Sequence, residues 1–263
     1  MRLRTGGLST LNRREERIVF VVGSPRSGTT FFAAAIGSLP GFVDLTEVTP
    51  LKAAIPELSH LRPGDAAPRI RAILERVRLL ALACGLRGVE QTPETAYALE
   101  AALTAYPEGR ALHIVRDGRD VVCSLLELGW LSATRRDADD AGLSYGAAAR
   151  FWVEPGREQE FATVSDARRA AWAWRRYVSA ARSVESDRVF ELRYEELVAD
   201  PDGTAERVAA FLGVSDVAAL AAALRRAHGR SIGRYRSDLT PEQLADVEHE
   251  AGAVLRELGY PAA

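Results

Sequence analysis

Lysine is nearly missing from this 263-residue chain: of its 34 basic residues, Lys52 alone is lysine. That bias reads as the mark of a GC-rich genome rather than of chemistry. Cysteine is scarce as well. Cys84 and Cys123 match no metal-ligand spacing, stand in apolar surroundings and are expected as reduced core thiols. The four histidines, His60, His113, His228 and His249, are scattered. A formal net charge of −2 leaves no global basic field of the kind that nucleic acid requires. No apolar run approaches the roughly 18 residues that would cross a bilayer. Residues 1–16 are polar and arginine-rich, without the apolar segment of a signal peptide, and are expected as a flexible tail before one domain over 17–263. No internal repeat is visible.

What the chain does have is a strand running into a glycine-rich turn. Ile18–Val22 is an unbroken apolar, β-branched run, the pattern of a strand buried on both faces of a parallel sheet. It leads into Gly23-Ser24-Pro25-Arg26-Ser27-Gly28 and then a helical pattern over Thr29–Leu39. Strand, turn and helix together gather backbone N–H groups and a positive helix end around one point, which suits a phosphate. The spacing of Gly23 and Gly28 is that of the nucleotide-binding P-loop, but Thr29 stands where its lysine belongs. An ordinary ATP or GTP site is disfavoured, because that lysine reaches the β- and γ-phosphates. The cation lies inside the loop instead, at Arg26. A tight structural turn is the competing account.

Alternating strands and helices predict an α/β fold, a three-layer parallel sheet with helices on both faces. Strands or short extended segments are expected at Phe42–Val48, Leu86–Gln91, Ala111–Val115 and Arg188–Arg193. Helices are expected over Ala66–Cys84, with Ile70, Ile73, Leu74, Val77 and Leu80 on one face, and over Ser165–Val184. Thr92 and Pro93 read as the cap and first position of another helix, and Thr240–Gln243 as a capping box opening the last one, which ends near Gly259. The stretch 130–160 is the least regular and reads as a substrate loop or lid, or equally as a plain surface excursion.

The segment Pro25-Arg26-Ser27-Gly28-Thr29-Thr30 resembles the 5′-phosphosulfate loop of sulfotransferases that use 3′-phosphoadenosine-5′-phosphosulfate (PAPS), especially tyrosylprotein sulfotransferases and their bacterial relatives. A second block agrees: a strand ending in Arg116, then a helix carrying Ser124 eight residues on. In the family this arginine and serine bind the donor's 3′-phosphate, and a guanidinium and a hydroxyl two helical turns apart can grip one phosphate together. Tyr194, in Val189–Pro201, is similar to a tyrosine near the nucleotide, and can equally be a core residue with a satisfied hydroxyl. Ser231, Gly233 and Arg234 resemble the late loop that closes over the 3′-phosphate; an exposed basic linker is the alternative. The resemblance therefore implies a P-loop-like sulfotransferase architecture. Arg26, Ser27, Gly28, Thr29, Thr30, Arg116, Ser124, Tyr194, Ser231, Gly233 and Arg234 would hold PAPS, without a metal.

Glu47 follows Arg26 by 21 residues, the position of the catalytic glutamate in the tyrosylprotein sulfotransferases. At the carboxyl edge of the sheet it would face the same crevice as the loop. Asp44 competes for the role, as do His60 and His113, although His113 sits inside an apolar strand. The chain departs from the family at Glu90-Gln91-Thr92-Pro93, where relatives often place a lysine against the transferring sulfonate. Gln91 would contact substrate there without a charge, leaving a slower enzyme or another cation in that role. The resemblance implies sulfuryl transfer from PAPS to a hydroxyl of a small molecule such as a carbohydrate or secondary metabolite, in the cytoplasm where PAPS is made, with no nucleic-acid or membrane partner. A phosphotransferase on the same scaffold and a non-catalytic nucleotide binder are the rivals.

Overall fold

The structure is a computed structural model that describes residues 17–79, 84–146, 151 and 153–261. Its centre is β1 (Val19–Val22), every residue of which is buried. The loop after it enters helix α1 (Thr29–Gly37), followed by β2 (Phe42–Thr46), α2 (Thr49–Leu58) and α3 (Pro63–Val77). Next come β3 (Arg87–Glu90), a 3₁₀ turn over Pro93–Ala98, α4 (Leu99–Ala105), β4 (Arg110–Val115) and α5 (Gly118–Leu128). The second half holds α6 (Glu158–Thr163), α7 (Asp166–Arg182), β5 (Val189–Arg193), α8 (Tyr194–Ala199), α9 (Pro201–Leu212), α10 (Val217–Leu224), α11 (Tyr235–Asp238) and α12 (Pro241–Glu257).

The five strands form one parallel sheet in the order β2-β3-β1-β4-β5. Alternate residues of β1 serve opposite faces, as strand geometry requires. Ile18, Phe20 and Val22 pack with α2, α3 and α4; Val19 and Val21 pack with α1, α9 and α10. These are the three layers expected. The chain leaves β1 toward β2 and β3 on one side and later places β4 and β5 on the other. The carboxyl end of β1 is therefore a topological switch point, where open parallel sheets form a crevice.

Several local expectations change. Helix α3 begins at Pro63, three residues before the expected start at Ala66, because proline's fixed φ suits the first helical turn. It ends at Val77, with Arg78 at its C-cap, rather than continuing to Cys84; Leu80 lies outside the described residues, as does the 1–16 tail. Thr92 takes the N-cap position before Pro93, but its side chain makes no cap hydrogen bond. Its hydroxyl accepts the N–H of Val48 at 2.9 Å, joining α2 to the end of β3, and a 3₁₀ turn follows. Cys84 is exposed rather than core, whereas Cys123 is buried and its thiol is pushed up to about 12 by that burial. The Thr240 capping box is present in both directions.

Candidate functional site

The loop after β1 is held open by glycine and by an aromatic ring. Gly28 has φ 94°, and a Cβ there would lie 2.7 Å from the Tyr194 ring, so the tyrosine packs directly on the loop. The Tyr194 hydroxyl donates to the His228 carbonyl at 3.1 Å. Tyr194 thus stands at the loop with its hydroxyl satisfied by backbone. Arg26 itself adopts φ 72°, a left-handed conformation uncommon for a residue with a side chain. No side chain caps α1, so its first amides keep their capacity for an anion.

The two halves of the expected donor site meet. Arg116, just past β4, donates through Nη1 to the Arg26 carbonyl at 3.1 Å and through Nη2 to the Ser231 carbonyl at 2.6 Å. Its guanidinium also lies over the Tyr194 ring, 5.5 Å from the centroid. Ser124, two turns into α5, accepts from Arg26 Nε at 2.9 Å, bridging 98 residues of sequence. Ser27 Oγ and Arg116 Nε are buried with no hydrogen-bond partner among the described residues. Buried polar groups are ordinarily satisfied, and two orphans at one anion-suited corner fit a phosphate. The late loop divides. Ser231 joins Arg116, but the Gly233 N–H is taken by Asp120 at 2.7 Å, and Arg234 pairs with Glu127 and with Asp238. Those two carry structural contacts that dock the loop on α5 rather than opening toward the corner.

Beside the loop lies a cleft of about 260 Å³. Ser24, Pro25, Arg26, Thr29 and Thr30, from the loop and the start of α1, form one side of it. Opposite stand Glu47 and Lys52 at the start of α2, Pro93 and Glu94 after β3, and Ala173 and Tyr177 on α7. Leu125 and the stretch after α5, with Trp130, Leu131, Asp139, Asp140 and Tyr145, close the remaining wall. That stretch folds into a small hairpin through the Ala138–Ser144 bridge, and the Gly146 N–H returns to the Trp130 carbonyl at 3.0 Å. The first part of the irregular segment, Trp130 to Tyr145, therefore contributes to the cleft wall.

Glu47 reaches the cleft because the chain turns sharply before it. Thr46 sits at φ 57°, its N–H bound by Asp44 Oδ1 at 2.8 Å, at a bulge between β2 and β3. Asp44 shapes this turn and does not line the cleft. Neither does His60, which is exposed, nor His113, which is buried in β4 against Glu191 at 3.1 Å. Gln91 is also off the cleft wall: it is 2% exposed, and its Nε2 has no partner among the described residues.

The cleft's ammonium comes from Lys52, which composition alone had left without a role. Its Nζ lies 2.8 Å from Asp140, 3.2 Å from Glu47 and 3.6 Å from Asp139. Burial alone would lower its pKa, but Glu94, Asp140, Glu47 and Asp139 outweigh that and hold it charged above the ordinary lysine value. Glu94 is buried in the cleft wall; burial raises its carboxyl, with Lys52 and the Tyr177 hydroxyl at 2.9 Å opposing. A lone lysine among arginines was the available sequence signal for Lys52. The acidic run Asp137–Asp140 was another, but nothing local said that it faces α2.

A parallel sheet with a P-loop-like turn at its switch point defines a class of anion-handling α/β proteins. The sulfotransferase family profile matches residues 71–218, more than half of the chain, and the chain belongs to that family. Omega-hydroxy-beta-dihydromenaquinone-9 sulfotransferase Stf3 of Mycobacterium bovis is 25% identical over 181 residues, covering 65% of this chain and 40% of the relative. Its Mycobacterium tuberculosis counterpart gives the same figures. The chain thus spans about 40% of the length of these curated relatives. Among solved structures, the sulfotransferase domain of the curacin biosynthetic pathway superposes with a TM-score of 0.60 at 15% identity, over 94% of this chain and 99% of that one. Mouse sulfotransferase SULT7A1, solved with PAP, gives 0.56 at 16% identity, over 96% and 90%. At such identities the likeness is one of fold. No helix among the described residues is long and apolar enough to cross a membrane.

Proposed function

We propose that residues 17–263 form one sulfotransferase domain that moves the sulfuryl group of PAPS onto a hydroxyl of a small molecule, with Glu47 as general base. One observation carries this reading. A single cleft is lined by the loop cation Arg26 on one side and, on the other, by a carboxylate that stands 3.2 Å from the chain's one lysine ammonium. Arg116, Ser124 and Ser231 would hold the 3′-phosphate, and Arg26 with the amides of Ser27–Thr30 the 5′-phosphosulfate. PAP in the mouse structure supports that donor, and the name of the mycobacterial relatives supports a hydroxylated small-molecule acceptor.

In the proposed step the acceptor oxygen forms a new S–O bond as the bond from sulfur to the 5′-phosphate oxygen breaks, and the hydroxyl proton passes to Glu47. Fixed donors placed where negative charge collects stabilise such a transition state more than its ground state. Lys52 supplies the ammonium that Gln91 does not, from the acceptor side of the cleft.

Glu47→Gln tests the assignment. It should leave 3′,5′-ADP affinity unchanged by calorimetry while kcat falls roughly 10²- to 10⁴-fold, the range of a lost general base. Near-native turnover would remove Glu47 from that role.

A further inference from the structure

Four carboxylates, Glu47, Glu94, Asp139 and Asp140, surround the single ammonium of Lys52 in the cleft. Such a cluster by itself is no site, but Glu94 adds an independent observation. Its Oε1 accepts the Tyr177 hydroxyl at 2.9 Å, whereas its Oε2 is buried without a hydrogen-bond partner among the described residues. Glu94 is 4% exposed and forms part of the cleft wall. A buried acceptor of this kind is left costly unless a donor or cation arrives beside it. Aromatic surfaces complete the wall: Trp130 and Tyr145 stack with centroids 6.3 Å apart, and Tyr177 stands next to Glu94. Carboxylates beside aromatic rings favour an organic ammonium over a bare anion or a purely apolar group.

Building on the sulfotransfer reading, we propose that the acceptor is an amino alcohol, with its protonated amine lodged against Glu94 and the Asp139–Asp140 turn while its hydroxyl lies at Glu47. The amine keeps its proton and takes no part in bond making, since an ammonium has no lone pair to attack sulfur. The hydroxyl oxygen forms the S–O bond, its proton goes to Glu47, and the S–O bond to the 5′-phosphate of PAPS breaks.

The test compares matched pairs on the full chain loaded with 3′,5′-ADP: 4-(aminomethyl)benzyl alcohol against 4-methylbenzyl alcohol, and 6-aminohexan-1-ol against hexan-1-ol. Calorimetry at neutral pH should show each amine binding at least tenfold more tightly than its neutral partner. That preference should shrink several-fold in Glu94→Gln, which keeps an acceptor for Tyr177, and in Asp140→Asn, whose side chain is 53% exposed. Equal affinity within both pairs overturns the proposal, as does a preference unchanged in both variants or a failure of both amines to bind. Failure of 3′,5′-ADP to bind would count against the sulfotransfer reading instead, and the same titrations on the free protein would still decide the amine preference.

Discussion

At the scale of a side chain, Lys52 determines how much negative charge the cleft can carry. It compensates Glu47, Asp139 and Asp140 directly and lowers Glu94 through space, and its hydrogen bond to Asp140 holds that carboxyl below the usual aspartate value. Lys52→Met should lower kcat, because it removes a fixed cation from the cleft, and Lys52→Arg, which keeps a positive charge there, should retain more of it. The check is kcat of the three proteins at one pH beside their melting temperatures; a native kcat in Lys52→Met would make the lysine a structural clasp only.

At the scale of elements, the end of β3 carries its own pH signature. Glu90 is the strand's last residue, and its carboxylate accepts the Thr92 N–H at 2.7 Å and the Thr95 hydroxyl at 3.1 Å. Burial nevertheless pushes it up to about 7, from an ordinary value of 4.5. The folded carboxyl keeps its proton to higher pH than the unfolded one. Its stabilising contribution is thus complete below about pH 4.5 and is lost as pH rises through about 7. At about 1.4 kcal/mol per unit that slope amounts to roughly 3 kcal/mol. Glu90→Gln removes the titration, so its melting temperature relative to the native protein should climb by several degrees between pH 5 and pH 8. A constant difference across that range would refute the buried titration.

The same scale shows what was legible in the sequence. The β1 loop and the Arg116–Ser124 block were readable because each is one continuous strand-to-helix segment, where periodicity and turn chemistry act locally. Helices α9 and α10 went unread, although Asp200 and Asp216 cap them by accepting from Gly203 and Ala219. Their alanine-rich faces carry little amphipathic contrast. The wall of the cleft was not readable for another reason. Lys52 and Asp140 stand 88 residues apart, and only the hairpin after α5 brings them together. Gln91 was expected at the reacting group because the resemblance supplies a motif position, whereas the direction of its side chain depends on packing around β3.

At the scale of the molecule, the switch point of the sheet leaves two adjacent sides of one loop for the proposed ligands: the donor would lie toward β4 and α5, the acceptor toward α2 and α7. Occupying the donor side should stabilise the whole fold, since a ligand that binds only the native state adds about 2.7 kcal/mol at a hundredfold excess over Kd. In a thermal melt with EDTA present, 3′,5′-ADP should raise the Tm of the native protein by several degrees. Arg116→Ala should abolish most of that shift, through the loss of about 2–3 kcal/mol of charge-assisted contact. The response to adenosine 5′-phosphosulfate, which has no 3′-phosphate, should barely change. An equal loss for both nucleotides would make Arg116 a scaffold residue.

Lys52 is the only side-chain primary amine in the chain. Acylating reagents and lysine-directed proteases therefore have one internal target, and it is clasped by carboxylates inside the cleft. The native protein presents an arginine surface that such reagents pass over. Covalent modification at Lys52 becomes a gauge of how often that clasp opens, readable by mass in a single peptide without introducing a probe.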